Sequence, residues 1–377
     1  MNTNERFVFP DWQHNIVNLA ATLAQHLGQR TNKVTLPLLD KALAHDYQNI
    51  VFLVVDGMGT HIMQKNLPTD SFLRTHQVQE LTSVFPSTTT SATTTLLSAL
   101  YPAEHGWFAW SLDFGKAGVQ QLFKNSDFAK QKLPYQYFFT NPPAGTTTYA
   151  LMPDSVHSKL DVKNHISYHN LGQLCQKLNN LCHRRGQKFV YAYFCDLDTI
   201  MHKTGTQSKP TRRLLKNLDK KLQKLTTQNP DTLFVMTADH GQIDVQDYVH
   251  IYQDPAVMDC LAAPLSLDPR AAAFRVKPGM AEQFVAAFQK YQDDFVLYPS
   301  KDLIAKGVFG VFRKADYQKY LGDYIAIGTN TNKMLVFTEG QEIWGKKRQA
   351  IYRGHHTALT PDEMLVPLII VNQRGAN

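Results

Sequence analysis

Short apolar runs of strand length alternate with amphipathic helical stretches along most of this chain. That alternation predicts an α/β fold around a mostly parallel sheet. The run at 50–55, IVFLVV, is apolar at every position and stops abruptly at Asp56, Gly57, Met58 and Gly59, the pattern of a buried strand ending in a polar turn. A second run, LFV at 233–235, passes through Met236, Thr237 and Ala238 into Asp239 and His240. A third, QKFVYAYF, places Phe189, Tyr191 and Tyr193 on one strand face just ahead of Cys195. Residues 16–27 read as a leading helix, and 209–225 as a basic amphipathic helix between the second and third of these strands. Strand, helix and strand in that order make a parallel unit with a crossover. The stretch FPSTTTSATTTLLSALYP turns from Pro86 into a helix that stops before Pro102.

From 242 to about 322 the pattern changes to strand, helix, strand and a short helix ended by glycine. This predicts a small α+β lobe over 269–324, inserted in one domain that takes up the whole chain, 1–377. DYIAIG, KMLVFT and LVPLIIV then return as core strands.

A chain of 377 residues with 43% hydrophobic content can bury a large core. Its opening residues, MNTNERFVFPDW, lack the basic start and apolar centre of an export signal. No apolar stretch approaches the ~18 residues of a spanning helix. The expectation is a soluble cytoplasmic protein with no membrane partner. Cys175, Cys182, Cys195 and Cys260 show neither CxxC pairing nor disulfide spacing. They read as small core side chains, Cys175 and Cys182 sharing one helix face. The net charge of +7 invites a nucleic-acid reading, but the basic residues are dispersed on solvated helix patterns and no zinc-finger or RNP-like segment accompanies them. No stable nucleic-acid partner is expected; the surface would draw small anionic substrates toward a cleft.

Candidate chemistry sits where the strands end. In open α/β sheets ligands bind beyond the carboxyl ends of the strands, which is where Asp56, Asp239 and His240 fall. Asp198 and His202 stand four apart in DLDTIMHKTG, so one helical turn puts both on the same face. Asp196, in the same segment, competes with Asp198, and the four-residue spacing favours Asp198. Carboxylates and imidazoles in such sets hold divalent metals. Thr88, Thr89 and Thr90 open a helix, where hydroxyls ordinarily satisfy orphan N–H groups. The same position suits phosphate binding.

In their order along the chain, DGMG at Asp56, FPSTTTSATTTLLSALYPAEHG, DLDTIMHKTG, TADHG and GHHTALTPDEMLVPL resemble the alkaline phosphatase superfamily, and within it the type I phosphodiesterase and nucleotide pyrophosphatase family. The resemblance implies an alkaline-phosphatase-like fold and two divalent ions, zinc first and manganese second. One ion would use Asp56, Thr89, Asp239 and His240, and the other Asp198, His202 and His356. It makes Thr89 the nucleophile, attacking phosphorus to give a phosphothreonine that water then releases. The expected substrate is a small phosphate ester or nucleotide-like molecule cleaved at a phosphodiester or phosphoanhydride bond. Alternatives on the same scaffold are a phosphomonoesterase, a phosphonate or sulfate hydrolase, or a phosphotransferase; a non-catalytic binding protein is a third class.

The chain departs from the family pattern twice. The closing Gly-x-His-Gly becomes Gly354, His355, His356 and Thr357, with His356 aligned as ligand and His355 as the fallback. The asparagine that holds a phosphate oxygen after the YPxxHG segment becomes Trp110. His105 and His250 stay outside the metal set, His105 being expected to satisfy backbone groups at its turn.

Overall fold

The computed structural model describes residues 7–155, 160, 162–344 and 350–372. Its central element is a seven-stranded sheet whose order is Gln77–Thr82, Leu365–Val371, Thr232–Thr237, Asn49–Val55, Gln187–Phe194, Thr146–Pro153 and His165–Tyr168. The Asn49–Val55 strand lies in the middle, and all seven of its residues are buried. Its apolar run therefore reflects helices on both faces and parallel partners on both edges. Val54 pairs with Tyr193 on one side and with Thr237 on the other. That register brings the residues after Val55, Phe194 and Thr237 to one edge of the sheet. Leu365–Val371 runs antiparallel to both neighbours.

The flanking helices follow the sequence pattern closely. Ile16–His26 starts at Asn15, whose side chain accepts from Val17 N at 3.0 Å while Asn15 N donates to the Asn18 side chain at 2.9 Å, a reciprocal cap. Lys209–Thr227 is capped by Ser208, and it buries Leu215, Leu218, Leu222 and Leu225. That spacing of three and four residues forms one apolar stripe, each leucine contributing roughly 1.5–3 kcal/mol by leaving water. Lys216, Lys220 and Lys224 between them stay exposed.

A second sheet is antiparallel, ordered Phe295–Pro299, Tyr324–Gly328, Ala271–Phe274, Ser266–Asp268, Ser111–Asp113 and Val119–Gln121. Its strands lie on both sides of the 269–324 limits read from sequence, and two come from the segment after the YPAEHG turn. The expectation that DYIAIG and KMLVFT return to the main sheet needs correction. Tyr324–Gly328 joins the second sheet, and Lys333–Leu335 pairs with Asp247–Val249; of the three runs only Leu365–Val371 enters the main sheet. Alternation identifies a strand but not its partner. Here Ile325 and Ile327 pack with Phe108, Leu267 and Phe309, while Ala326 faces the opposite cluster with Phe274 and Phe284. A sheet apolar on both faces must be covered on both, and this one is.

All four cysteines are free thiols. Cys182 is buried and Cys175 half-buried on the Leu171–Cys182 helix, and burial pushes both thiols up to about 11. Among the described residues no helix is long and apolar enough to cross a membrane.

His105 does serve its turn. Its Nδ1 accepts from Trp107 N at 3.0 Å and its Nε2 meets the Thr95 hydroxyl at 3.1 Å. Burial lowers its pKa to about 3, so the folded protein holds it neutral where the unfolded chain, near 6.5, takes up a proton. Stability should therefore fall as pH drops below about 6.5, with His105 contributing a slope of about 1.4 kcal/mol per pH unit until about pH 3. In His105→Gln, denaturant titrations across that window should show the slope reduced by that amount.

Candidate active site

The site forms where the central strands of the main sheet end. Asp56 is the first residue past Asn49–Val55, and its backbone N donates to Phe194 O at 2.9 Å. Gly57 follows with φ of 72°, a left-handed turn suited to glycine. It aims its N–H at Asp239 Oδ1, 3.1 Å away. Asp239 and His240 leave Thr232–Thr237, and Gly241 then runs so close to the 361–364 turn that a Cβ would sit 2.0 Å from Asp362 O. Only glycine fits there. Asp198 and His202 occupy one face of the Asp196–Thr204 helix, with His202 Nε2 3.2 Å from Asp198 Oδ1. Asp196, at the start of that helix, is half-buried and lies outside the cluster.

The helix that carries the threonines is Thr89–Ser98, with Thr88 at its N-cap and no side-chain cap bond from Thr88. The capping role ordinarily expected of Thr88 is thus not made. Its hydroxyl bonds to the buried carboxylate of Asp268 instead. Thr89 begins the helix and places its Oγ1 3.1 Å from His240 Nε2.

Six of the seven candidate residues supply acidic or imidazole groups that converge. Asp198, His202 and His356 offer ligand atoms within 4.8 Å of one another, and so do Asp56, Asp198 and His240. His240 Nε2 is 3.4 Å from Asp56 Oδ1 and 3.6 Å from Asp239 Oδ2. His356 Nε2 is 3.8 Å from Asp198 Oδ1. The His240 and His356 rings stack with centroids 3.6 Å apart, so the two groupings abut. His355 belongs to neither group; its Nδ1 lies 2.7 Å from His356 O. His250 and His105 also stand apart from them.

The imidazoles share one arrangement. Nδ1 of His240 faces Gly241 O at 2.9 Å, that of His202 faces Gly354 O at 2.7 Å, and that of His356 faces Ser87 O at 2.9 Å. A carbonyl only accepts, so each Nδ1 carries a proton, and in the neutral form of the ring Nε2 presents a lone pair. These lone pairs point at carboxylates. Asp56 Oδ1 and Asp239 Oδ2 are buried without a hydrogen-bond donor, and lone pairs facing anionic oxygens in a dry site call for a cation between them. The mixed oxygen and nitrogen donor set suits zinc or a similar divalent ion.

The electrostatics agree. Burial pushes Asp56 well above the ordinary carboxylate range, and the charges of Asp239 and Asp198 push it further. Burial also raises Asp239. For Asp198 burial acts upward, but His202 beside it outweighs burial and the group ends below its usual value. Burial, together with His240 and His202, holds His356 well below an ordinary imidazole. Burial would lower His202, but the carboxylate of Asp198 raises it, so three buried carboxylates crowded together draw positive charge into the site.

Several functional neighbours escaped the sequence reading. Tyr193, read there as a core aromatic, donates its hydroxyl to Asp56 Oδ2. The Gln242 amide lies 3.1 Å from His202 Nδ1. Asp268 accepts from Trp110 N at 3.1 Å, and burial raises it to about 6; the Trp110 side chain itself is 40% exposed. Thr357, where the family pattern has glycine, keeps a φ of 123° although buried. That is backbone strain at a β-branched residue beside a candidate ligand.

This fold, with polar clusters at the ends of a mostly parallel sheet, is that of alkaline-phosphatase-like hydrolases. The profile of the type I phosphodiesterase/nucleotide pyrophosphatase family matches residues 50–323, and the chain belongs to that family. No curated relative matches it in sequence. Among solved structures, an inactive variant of murine ectonucleotide pyrophosphatase/phosphodiesterase 5 in complex with AMP superposes with a TM-score of 0.66 at 16% identity, over 86% of this chain and 88% of that one. The human ectonucleotide pyrophosphatase/phosphodiesterase 5 gives 0.64 at 18%, over 86% and 87%. Phosphonoacetate hydrolase from Sinorhizobium meliloti 1021, in complex with phosphonoformate, gives 0.59 at 14%, over 85% and 89%.

Proposed function

We propose that this protein is a metal-dependent hydrolase that cleaves a phosphodiester or phosphoanhydride bond in a small, nucleotide-like substrate, with Thr89 as nucleophile. The observation that carries the reading is the set of Nε2 lone pairs turned toward donor-free carboxylate oxygens, with the Thr89 hydroxyl beside one of them at 3.1 Å. Asp56, Thr89, Asp239 and His240 would hold one divalent ion, and Asp198, His202 and His356 the other. Such ions supply charge neutralisation for the phosphate and lower the pKa of a hydroxyl.

The chain's own residues do the rest. Thr89 Oγ1 gives its proton to solvent and forms a bond to phosphorus while the bond to the leaving oxygen breaks; that oxygen takes up a proton from solvent and departs, and the rest of the substrate's phosphate, with its retained substituent, is left esterified to the threonine. Water then attacks phosphorus and Thr89 Oγ1 departs. The first N–H groups of the Thr89–Ser98 helix have no intrahelical acceptor, so they are the backbone donors for the phosphate oxygens. The Nδ1–H bonds to Gly241, Gly354 and Ser87 hold the three rings in the tautomer and orientation this requires.

A second reading, supported by Trp110 in place of the family's asparagine and by the likeness to a phosphonate hydrolase, is a phosphomonoesterase, phosphonate or sulfate hydrolase, or phosphotransferase using the same residues. A chromogenic phosphodiester and its monoester separate the two. The diester should be turned over faster by at least tenfold in kcat/KM after loading with zinc or manganese. Preference for the monoester would transfer the assignment to the second reading.

A further inference from the structure

We propose that Arg270 and Glu363 form a positioning pair that holds the loops bearing His240 and His356 in metal-binding register; this rests on the two-ion reading of the site. Both side chains are fully buried. Arg270 Nε and Nη2 donate to Glu363 Oε1 and Oε2 at 2.8 and 2.9 Å, a two-pronged ion pair. The rest of the guanidinium donates to Lys333 O at 2.6 Å and Thr329 O at 3.1 Å, which ties the pair to the second sheet's side of the molecule.

Glu363 extends the connection into the metal loops. Its Oε1 also accepts from Ala358 N at 3.0 Å and its Oε2 from the Thr360 hydroxyl at 2.6 Å, so the carboxylate folds the 358–363 turn around itself. Its backbone carbonyl accepts from Gly241 N at 2.8 Å, immediately after His240. From the same turn Ala358 O accepts the Ser87 hydroxyl at 2.7 Å, and Ser87 O is the partner of His356 Nδ1. The carboxylate thus fixes the 358–363 turn, and the backbone of that turn, through Glu363 O and Ala358 O, meets the His240 loop and the turn before Thr89.

A buried ion pair is weak evidence for stability, because desolvation offsets much of its attraction. A pair whose carboxylate fixes one turn, with that turn's backbone touching the His240 loop and the Ser87 partner of His356, is better explained by geometry. Groups that orient metal ligands through hydrogen bonds typically change metal affinity by about 10–100-fold when removed.

The test measures zinc affinity by chelator competition, and thermal unfolding with and without zinc, for the wild-type chain, Arg270→Lys, Glu363→Gln and the double variant Arg270→Met/Glu363→Met. The double variant removes both charges together and fills the space with apolar atoms, so packing and the absence of unpaired charge are retained. Positioning predicts about 10–100-fold weaker zinc binding in each folded variant, the double one included, and a smaller zinc-induced rise in Tm. Zinc affinity within about twofold of wild type in the double variant, or in either single variant that folds, would overturn the proposal, since a structural pair lowers stability with and without metal alike. Wild type that binds no divalent ion would overturn the two-ion reading as well, which distinguishes the two failures.

Discussion

Thr89→Ala should fold, retain the ion held by Asp198, His202 and His356, and lose turnover by about three orders of magnitude or more. Thr89 begins its helix, and its hydroxyl faces His240 rather than a backbone group. Removing it should therefore change stability by less than the roughly 0.5–2 kcal/mol of a lost helix cap. It removes the atom proposed to attack phosphorus, and an ion that polarises the phosphate has no substitute for that bond. Thr90→Ala is the control. Its hydroxyl is buried on the same helix without a hydrogen-bond partner, so a general disturbance of the helix start would appear there too. Steady-state kinetics with metal content measured on the same samples separate the cases, and near-normal turnover in Thr89→Ala would reject the nucleophile.

The second large effect concerns neighbouring histidines. His356→Ala should reduce bound zinc from two ions to one and abolish most activity, whereas His355→Ala should retain both ions. His356 Nε2 faces Asp198 Oδ1, its Nδ1 is held by Ser87 O, and its ring lies against His240. His355 is turned so that its Nδ1 meets the backbone of His356. Metal analysis after exhaustive dialysis decides between them. Loss of an ion in His355→Ala with retention in His356→Ala would move the ligand assignment by one residue.

The strand ends were legible in the sequence because an apolar run that stops at an acid has few other readings, and Asp56 and Asp239 lie where those runs stop. Asp198 and His202 were legible from helical spacing. His356 could be chosen over His355 only through the order of family motifs, since adjacent histidines in a loop carry no periodicity. Asp268, Arg270 and Glu363 were not legible. They sit in SLDPR and TPDEM, where no spacing marks candidate chemistry, and Arg270 meets Glu363 93 residues later. No local pattern encodes a pairing of that range. The placement of DYIAIG failed for a related reason, since period-two alternation marks a strand but says nothing about which sheet edge it joins.

The two-ion, Thr89-centred account is tested most directly by mass analysis of peptides from zinc-loaded protein quenched within the first turnovers on a phosphodiester, with acid used to stop dephosphorylation. The account predicts one substrate-derived phosphoryl adduct, the phosphate with its retained ester group, on the peptide containing Thr89, absent from Thr89→Ala treated identically. Full turnover with no such adduct on that peptide, under conditions where attack on phosphorus outpaces hydrolysis of the intermediate, would contradict it.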